Sequence, residues 1–293
     1  MDEIKYIDRI SKREIIERVP ANNFMHWLYN SPFGKLTLYT IIKRKLISTI
    51  CGWLMNTKFS KKRIKKFILE YNIEINDYEE KDISKYNHFN HFFYRKIDPS
   101  KRPIGENLIS PADGKILAFQ EIEKSKSFFI KGSMFNLQTF LISKELSLKY
   151  QNGSMAIIRL APSNYHRYHF PAKGIPSKTS TIKGYYYSVS PVALKKNLRI
   201  FCENKRAIST LKTDNYGDIL ISEIGATMVG SIIQSYQPNS QVEAGSEKGY
   251  FAFGGSTIIL LFEKGKIHFS KDILKNTENG FETGVLMGET IGE

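Results

Sequence analysis

From about residue 105 onward, short apolar runs alternate with turns built from Gly, Pro, Asn and Asp. The runs are Lys115–Phe119, Ser154–Leu160, Thr179–Ser188, Arg199–Glu203, Ile219–Glu223 and Thr257–Phe262. Most are strand-sized and enriched in β-formers. Their spacing predicts a compact, mainly antiparallel β core with a few helices such as Leu137–Lys149, an α+β chain. With 293 residues, 41% of them hydrophobic and 25% charged, the chain can bury a large core of ordinary globular composition.

The first 70 residues differ from this pattern. They hold 15 Lys and Arg against 6 Asp and Glu, most of the excess that gives the chain its formal charge of +14. The cations cluster at Lys43-Arg44-Lys45 and at Lys58, Lys61, Lys62, Arg63, Lys65 and Lys66. Between them Tyr39, Ile42, Leu46, Ile50 and Trp53 repeat at helical spacing. The stretch 36–55 is long enough to span a bilayer, but three adjacent cations in its middle argue against that. An amphipathic helix lying on an anionic bilayer fits better, each nearby cation contributing about 1 kcal/mol. A solvated helix face is the alternative. Nucleic acid is not expected, because single-strand binders interleave their cations with aromatics rather than aliphatics. The expected organisation is a basic helical membrane-associating region, 1–70, and a β-rich catalytic domain, 71–293. Cys51 and Cys202 match no metal or disulfide spacing, and Met1-Asp2-Glu3-Ile4-Lys5 lacks the layout of a secretory signal, so a cytoplasmic location is expected.

Three constellations in the second region could carry chemistry. Ser110-Pro111-Ala112-Asp113-Gly114 sets an aspartate on a rigid turn at a strand entrance, although Asp-Gly also serves turns without chemistry. Tyr165-His166-Arg167-Tyr168-His169, bracketed by Pro162 and Pro171, holds two of the six histidines. In a helical turn His166 and His169 would share a face, but no further ligand stands at metal spacing, so no metal is expected. Two packed structural histidines are the plainer alternative. Third, Gly254-Gly255-Ser256-Thr257 joins two apolar segments; alone it reads as a bulge or tight turn.

Together Asp113, a histidine and Ser256 supply a nucleophile, a base and a group to orient the base. Ser256 lacks the Gly-x-Ser-x-Gly elbow of many hydrolases, and its nearest electrophile is the carbonyl of Gly255 in its own chain. Base-assisted attack there would shift the acyl group from nitrogen to oxygen. Elimination and hydrolysis would then leave a pyruvoyl group at position 256 and ammonia. A serine hydrolase acting on lipids, or a non-catalytic membrane-binding module, are the alternatives.

Read along the chain, the pattern resembles the phosphatidylserine decarboxylases, pyruvoyl-dependent enzymes that cleave themselves. The resemblance covers most of residues 85–290. It rests on Phe89-Asn90-His91-Phe92-Phe93-Tyr94-Arg95 with Arg102-Pro103, on Pro111-Ala112-Asp113-Gly114, on Lys131-Gly132 and on the Tyr165–His169 run. It continues in Ser190-Pro191, Glu203-Asn204-Lys205-Arg206, Gly225-Ala226-Thr227-Met228-Val229-Gly230 and Gly245-Ser246-Glu247-Lys248-Gly249-Tyr250-Phe251. Gly254 departs from it, since leucine is commonest there.

The resemblance implies a self-processing triad of Asp113, His169 and Ser256, with His169 as base and Asp113 fixing its tautomer. Cleavage between Gly255 and Ser256 would give chains 1–255 and 256–293, retained as a heterodimer; higher oligomers are left open. The pyruvoyl group, a covalent cofactor derived from Ser256, would form a Schiff base with phosphatidylserine. His166 would assist decarboxylation as proton donor, and phosphatidylethanolamine would be released. Such an enzyme would sit peripherally on the cytoplasmic face of the cell membrane, bound to phosphatidylserine in an anionic bilayer.

Overall fold

The structure is a computed structural model that describes residues 4–17, 22–43, 45–124, 136–194, 199–226, 231–252, 254 and 256–293. Gly255, Lys131-Gly132, Thr227–Gly230 and Arg44 of the basic cluster lie outside the described residues.

A ten-stranded sheet organises the chain. Its order is β2 (Glu14–Ile16), β1 (Lys5–Asp8), β14 (Glu282–Val285), β4 (Gly114–Phe119), β5 (Ser154–Leu160), β13 (Ser256–Phe262), β10 (Asp218–Ile224), β9 (Arg206–Lys212) and β7 (Ile175–Pro176), with β8 (Ser180–Ile182) also paired to β9. Every pairing in it is antiparallel except β1 with β14. A second sheet runs β11 (Ile232–Gln234), β12 (Glu247–Phe251) and β6 (Arg167–His169); β15 (Thr290–Gly292) pairs with β3 (Leu108–Ile109). The architecture is α+β, as the sequence predicts.

The unbroken apolar run of β13 follows from its central place. Alternate side chains of a strand face opposite sides. Ile259 and Leu261 enter a core formed with Phe140, Phe201 and Leu28, while Ile258, Leu260 and Phe262 enter a second core formed with Tyr168, Phe170 and Phe251. A strand buried on both faces has no use for polar alternation.

Three of the predicted segments come out differently: Thr179–Ser188 is strand only over Ser180–Ile182. Arg199–Glu203 is one helical turn, closed by the Asn204 amide bonding to Ile200 O at 2.9 Å; runs this short do not separate helix from strand by periodicity. Leu137–Lys149 is two helices, Leu137–Leu141 and Lys144–Tyr150. Ile142 takes φ +50°, and the Ser143 hydroxyl caps the second helix by accepting from Leu146 N at 3.2 Å.

The amino-terminal region contributes to both parts of the molecule. Residues 5–16 supply edge strands β1 and β2 to the large sheet, and the first helix among the described residues is α1 (Asn22–Asn30). After α2 (Pro32–Thr37) comes a π-helical turn, Leu38–Ile42, and then α3 (Lys45–Met55) and α4 (Lys62–Tyr71). Met55 and Ile64 pack with Phe89, Phe92 and Phe93, so an apolar cluster runs across residue 70. The opposite side of these helices carries exposed apolar side chains. Leu46 is 68% exposed, Trp53 66% and Phe59 83%, and Phe33, Leu36, Tyr39, Ile50 and Leu69 are exposed as well. No helix among the described residues is long and apolar enough to cross a membrane.

Candidate active site

Ser256 opens β13 opposite Leu160 of β5, fully buried. Its hydroxyl has no hydrogen-bond partner among the described residues. Two residues earlier Gly254 takes φ +130°, a backbone that residues with side chains rarely adopt, which suits glycine rather than leucine at this position.

His169 ends β6 and His166 immediately precedes it. The strand is zipped to β12, whose chain leads directly into the junction: Phe251 N donates to His166 O at 2.9 Å. His166 is wholly buried against Phe93, ring centroids 4.0 Å apart. Its Nδ1 lies 2.8 Å from Asn164 O and donates to it, while Nε2, which makes no geometric hydrogen bond among the described residues, feels the Gly254 backbone. Burial pushes its pKa down to about 3; the cations of Arg95 and Lys115 push the same way, against the Asn164 and Gly254 backbone.

His169 is engaged at both nitrogens. Nδ1 lies 2.8 Å from Gly245 O and Nε2 3.1 Å from the Tyr165 hydroxyl, so the ring is neutral and Tyr165 is the donor. Burial lowers its pKa, opposed by the Gly245 carbonyl and by the charges of Glu247 and Asp113. Burial likewise raises that of Tyr165, which stays protonated. The two imidazoles thus have separate partners rather than one shared helical face.

Asp113 stands at the entrance to β4, on a turn joined to the histidine strand by His169 N donating to Pro111 O at 2.8 Å. Its carboxylate accepts from Arg102 Nε at 3.0 Å, Arg102 Nη2 at 2.7 Å and Met287 N at 2.8 Å. The β6–β12 register puts His166 on the junction side of β6 and His169 at its far end, and among the described residues no hydrogen bond joins Asp113 to His169 or His169 to Ser256.

Four partners had no role in the sequence reading. Arg102 and Tyr165 lay inside quoted motifs and Gly245 opened one, but their side-chain or carbonyl contacts have no sequence signature. Asn164 fixes His166 through its main chain, which sequence does not reveal. Beside Leu160 a cavity of about 100 Å³ opens, lined among others by Met25 of α1, Arg159, Pro162 and Ser190. Among the described residues no group of three or more metal-ligating side chains gathers.

An α+β chain with a buried serine, a buried imidazole and a glycine at φ +130° defines a site enclosed within its own fold. Residues 89–293 match the phosphatidylserine decarboxylase family. The chain is 49% identical over 294 residues to a phosphatidylserine decarboxylase proenzyme of Fusobacterium nucleatum, across 99% of this chain and 98% of the other. Proenzymes of the same name from Clostridium botulinum and Desulfitobacterium hafniense are 46% and 44% identical over 292 residues, again across 99% of this chain and 98% of theirs. The chain belongs to the phosphatidylserine decarboxylase family.

Proposed function

We propose that the chain is a proenzyme that converts phosphatidylserine to phosphatidylethanolamine and carbon dioxide, after cutting itself between Gly255 and Ser256. The observation that carries the reading is the Ser256 hydroxyl, buried at the start of the central strand without a partner among the described residues. An orphaned buried hydroxyl costs about 1–3 kcal/mol; Ser209, Ser222 and Thr257 carry one too, and Ser256 differs in following the Gly254-Gly255 junction directly.

In the first stage Ser256 Oγ attacks the Gly255 carbonyl carbon. The proton leaves Oγ for His169, acting as the base, and is handed to the leaving amide nitrogen. Asp113 supports the imidazolium by its nearby charge. Loss of the Ser256 Cα proton then expels the Gly255 carboxylate, and hydrolysis releases ammonia. The two chains stay together, because β13 lies between β5 and β10 and β14 between β1 and β4.

Once made, the pyruvoyl group supplies an electron-withdrawing carbonyl in the chain itself, the service that a bound cofactor gives elsewhere. His166 manages the proton of that stage at Nε2: neutral at rest, it takes up a proton and returns it to the product carbon after carbon dioxide leaves. The cavity beside Leu160, reached past Met25 of α1, gives the head group an approach from the helices whose apolar faces are exposed. Those helices lie on the surface of an anionic bilayer with Lys58, Lys61, Lys62, Lys65 and Lys66 at its head groups. The location is peripheral, at the cytoplasmic face.

Release of carbon dioxide from carboxyl-labelled phosphatidylserine tests the reading. The purified protein should release it and Ser256→Ala should not. Equal release by both would remove Ser256 from the chemistry.

A further inference from the structure

Lys115 of β4 is buried, and neither stage above uses it. Its ammonium lies 3.7 Å from Glu17 Oε1, 3.2 Å from Asn164 Oδ1 and 5.1 Å above the ring of Tyr6. Arg159, its neighbour in the sheet register, is held between Glu17 and Glu282. Two cations and two carboxylates thus share one enclosed space, and two of their neighbours, Tyr6 and Glu17, come from the amino-terminal segment.

Asn164 connects this cluster to the site. Its side-chain oxygen accepts from Lys115 and from Ala161 N at 2.9 Å, while its main-chain oxygen accepts from His166 Nδ1. The Asn164 amide in turn donates to Ala161 O at 2.8 Å. The turn is pinned from both sides, and the ring it presents keeps its proton on Nδ1. Without the Lys115 donor, the Asn164 side chain loses one of its two anchors and the turn loosens.

We propose that Lys115 is a positioning residue for His166, acting through Asn164, and that Glu17 makes this arrangement depend on the seating of the amino-terminal strands. The inference rests on the reading of His166 as the proton-handling group of decarboxylation. Burial lowers the proton affinity of Lys115, while the Arg159 and Lys115 cations hold Glu17 ionised against its own burial. Charge balance therefore ties Lys115 to a residue that immediately follows β2 and precedes the exposed helices. Displacement of that segment removes the carboxylate that keeps Lys115 in place.

The experiment uses the full chain with Lys115→Met, Lys115→Arg and the paired change Glu17→Gln with Lys115→Met, which removes one charge of each sign together. Self-cleavage reports that each variant folds, since His166 is not asked to act in it. Turnover of dispersed phosphatidylserine is then followed across pH. The charged groups acting on His166 are Arg95, from the segment after the Phe89–Phe93 helix, and Lys115; Arg95 is untouched throughout. Lys115→Met and the paired variant should cleave, lose about tenfold in kcat at unchanged KM, and move the acidic limb of the profile up by about one pH unit. Lys115→Arg should restore the limb. A cleaved paired variant with the parent's kcat and limb would overturn the inference. A His166→Gln protein with normal turnover would overturn the site reading and the inference with it.

Discussion

Arg102 and Asp113 form a two-point ion pair, both side chains largely buried, with Nε donating to Oδ1 at 3.0 Å and Nη2 to Oδ2 at 2.7 Å. The carboxylate beside the histidine strand is thus tied to the turn at Pro99–Lys101, while Met287 N, from the segment after Ser256, donates a third hydrogen bond to it. Arg102→Leu leaves a buried carboxylate without its cation and should cost about 3–5 kcal/mol, read as the urea midpoint of the uncleaved Ser256→Ala chain. Arg102→Lys keeps the charge but loses the fork and should fall between. An unchanged midpoint for Arg102→Leu would show that the pair is dispensable.

Acid should weaken the precursor through His166. The unfolded chain takes up a proton near pH 6.5, which the buried ring refuses until about pH 3. A depressed histidine leaves stability whole above pH 6.5 and removes about 1.4 kcal/mol per pH unit below it. Between pH 7.5 and 5.5, Ser256→Ala should lose about 1.4 kcal/mol more than Ser256→Ala with His166→Gln. Urea titrations that show equal losses would contradict the burial assigned to this ring.

Arg206 makes a prediction from geometry alone. Its guanidinium is buried and donates to four main-chain oxygens: Phe140 at 2.7 Å, Thr139 at 3.0 Å, Cys202 at 2.7 Å and Asn204 at 2.9 Å. Arg206→Met fills part of the volume and deserts all four acceptors, so it should destabilise by at least about 3 kcal/mol. Calorimetry of the uncleaved chain would measure this, and a loss below about 1 kcal/mol would tell against the four-bond arrangement.

Much of the fold was readable because it depends on patterns along the chain. β13 announces itself by an apolar run buried on both faces; of the stripe Tyr39, Ile42, Leu46, Ile50 and Trp53, Ile42 packs on the core and Tyr39 lies edge-on to Tyr187, while Leu46, Ile50 and Trp53 are exposed. What the chain order hides is partnership across distance. Residues 5–16 carry no signal that they add to a sheet edge beside β14, and Glu17 has none that it will meet Arg159. At the site, Ser256, Asp113 and both histidines stood out as residue types in context. Their hydrogen bonds did not, since Tyr165, Gly245 and Arg102 act through positions that only the folded chain brings near.

The exposed apolar stripe predicts membrane binding that can be removed without touching the site. Leu46→Ser, Ile50→Ser and Trp53→Ser together strip side chains that are open to solvent, and should weaken sedimentation with anionic vesicles at least tenfold. Self-cleavage should persist, and binding by the parent should fall as salt rises. Unweakened sedimentation of the triple variant would mean that this face is not the docking surface.

Self-cleavage is decided at the peptide bond before Ser256. Intact mass of the purified, incubated protein should reveal two chains, 1–255 and a second beginning at position 256 whose terminus is blocked and lacks the nitrogen released as ammonia. Ser256→Ala, treated identically, should remain one chain. A parent protein that stays at the full mass of the 293-residue chain would contradict the central claim.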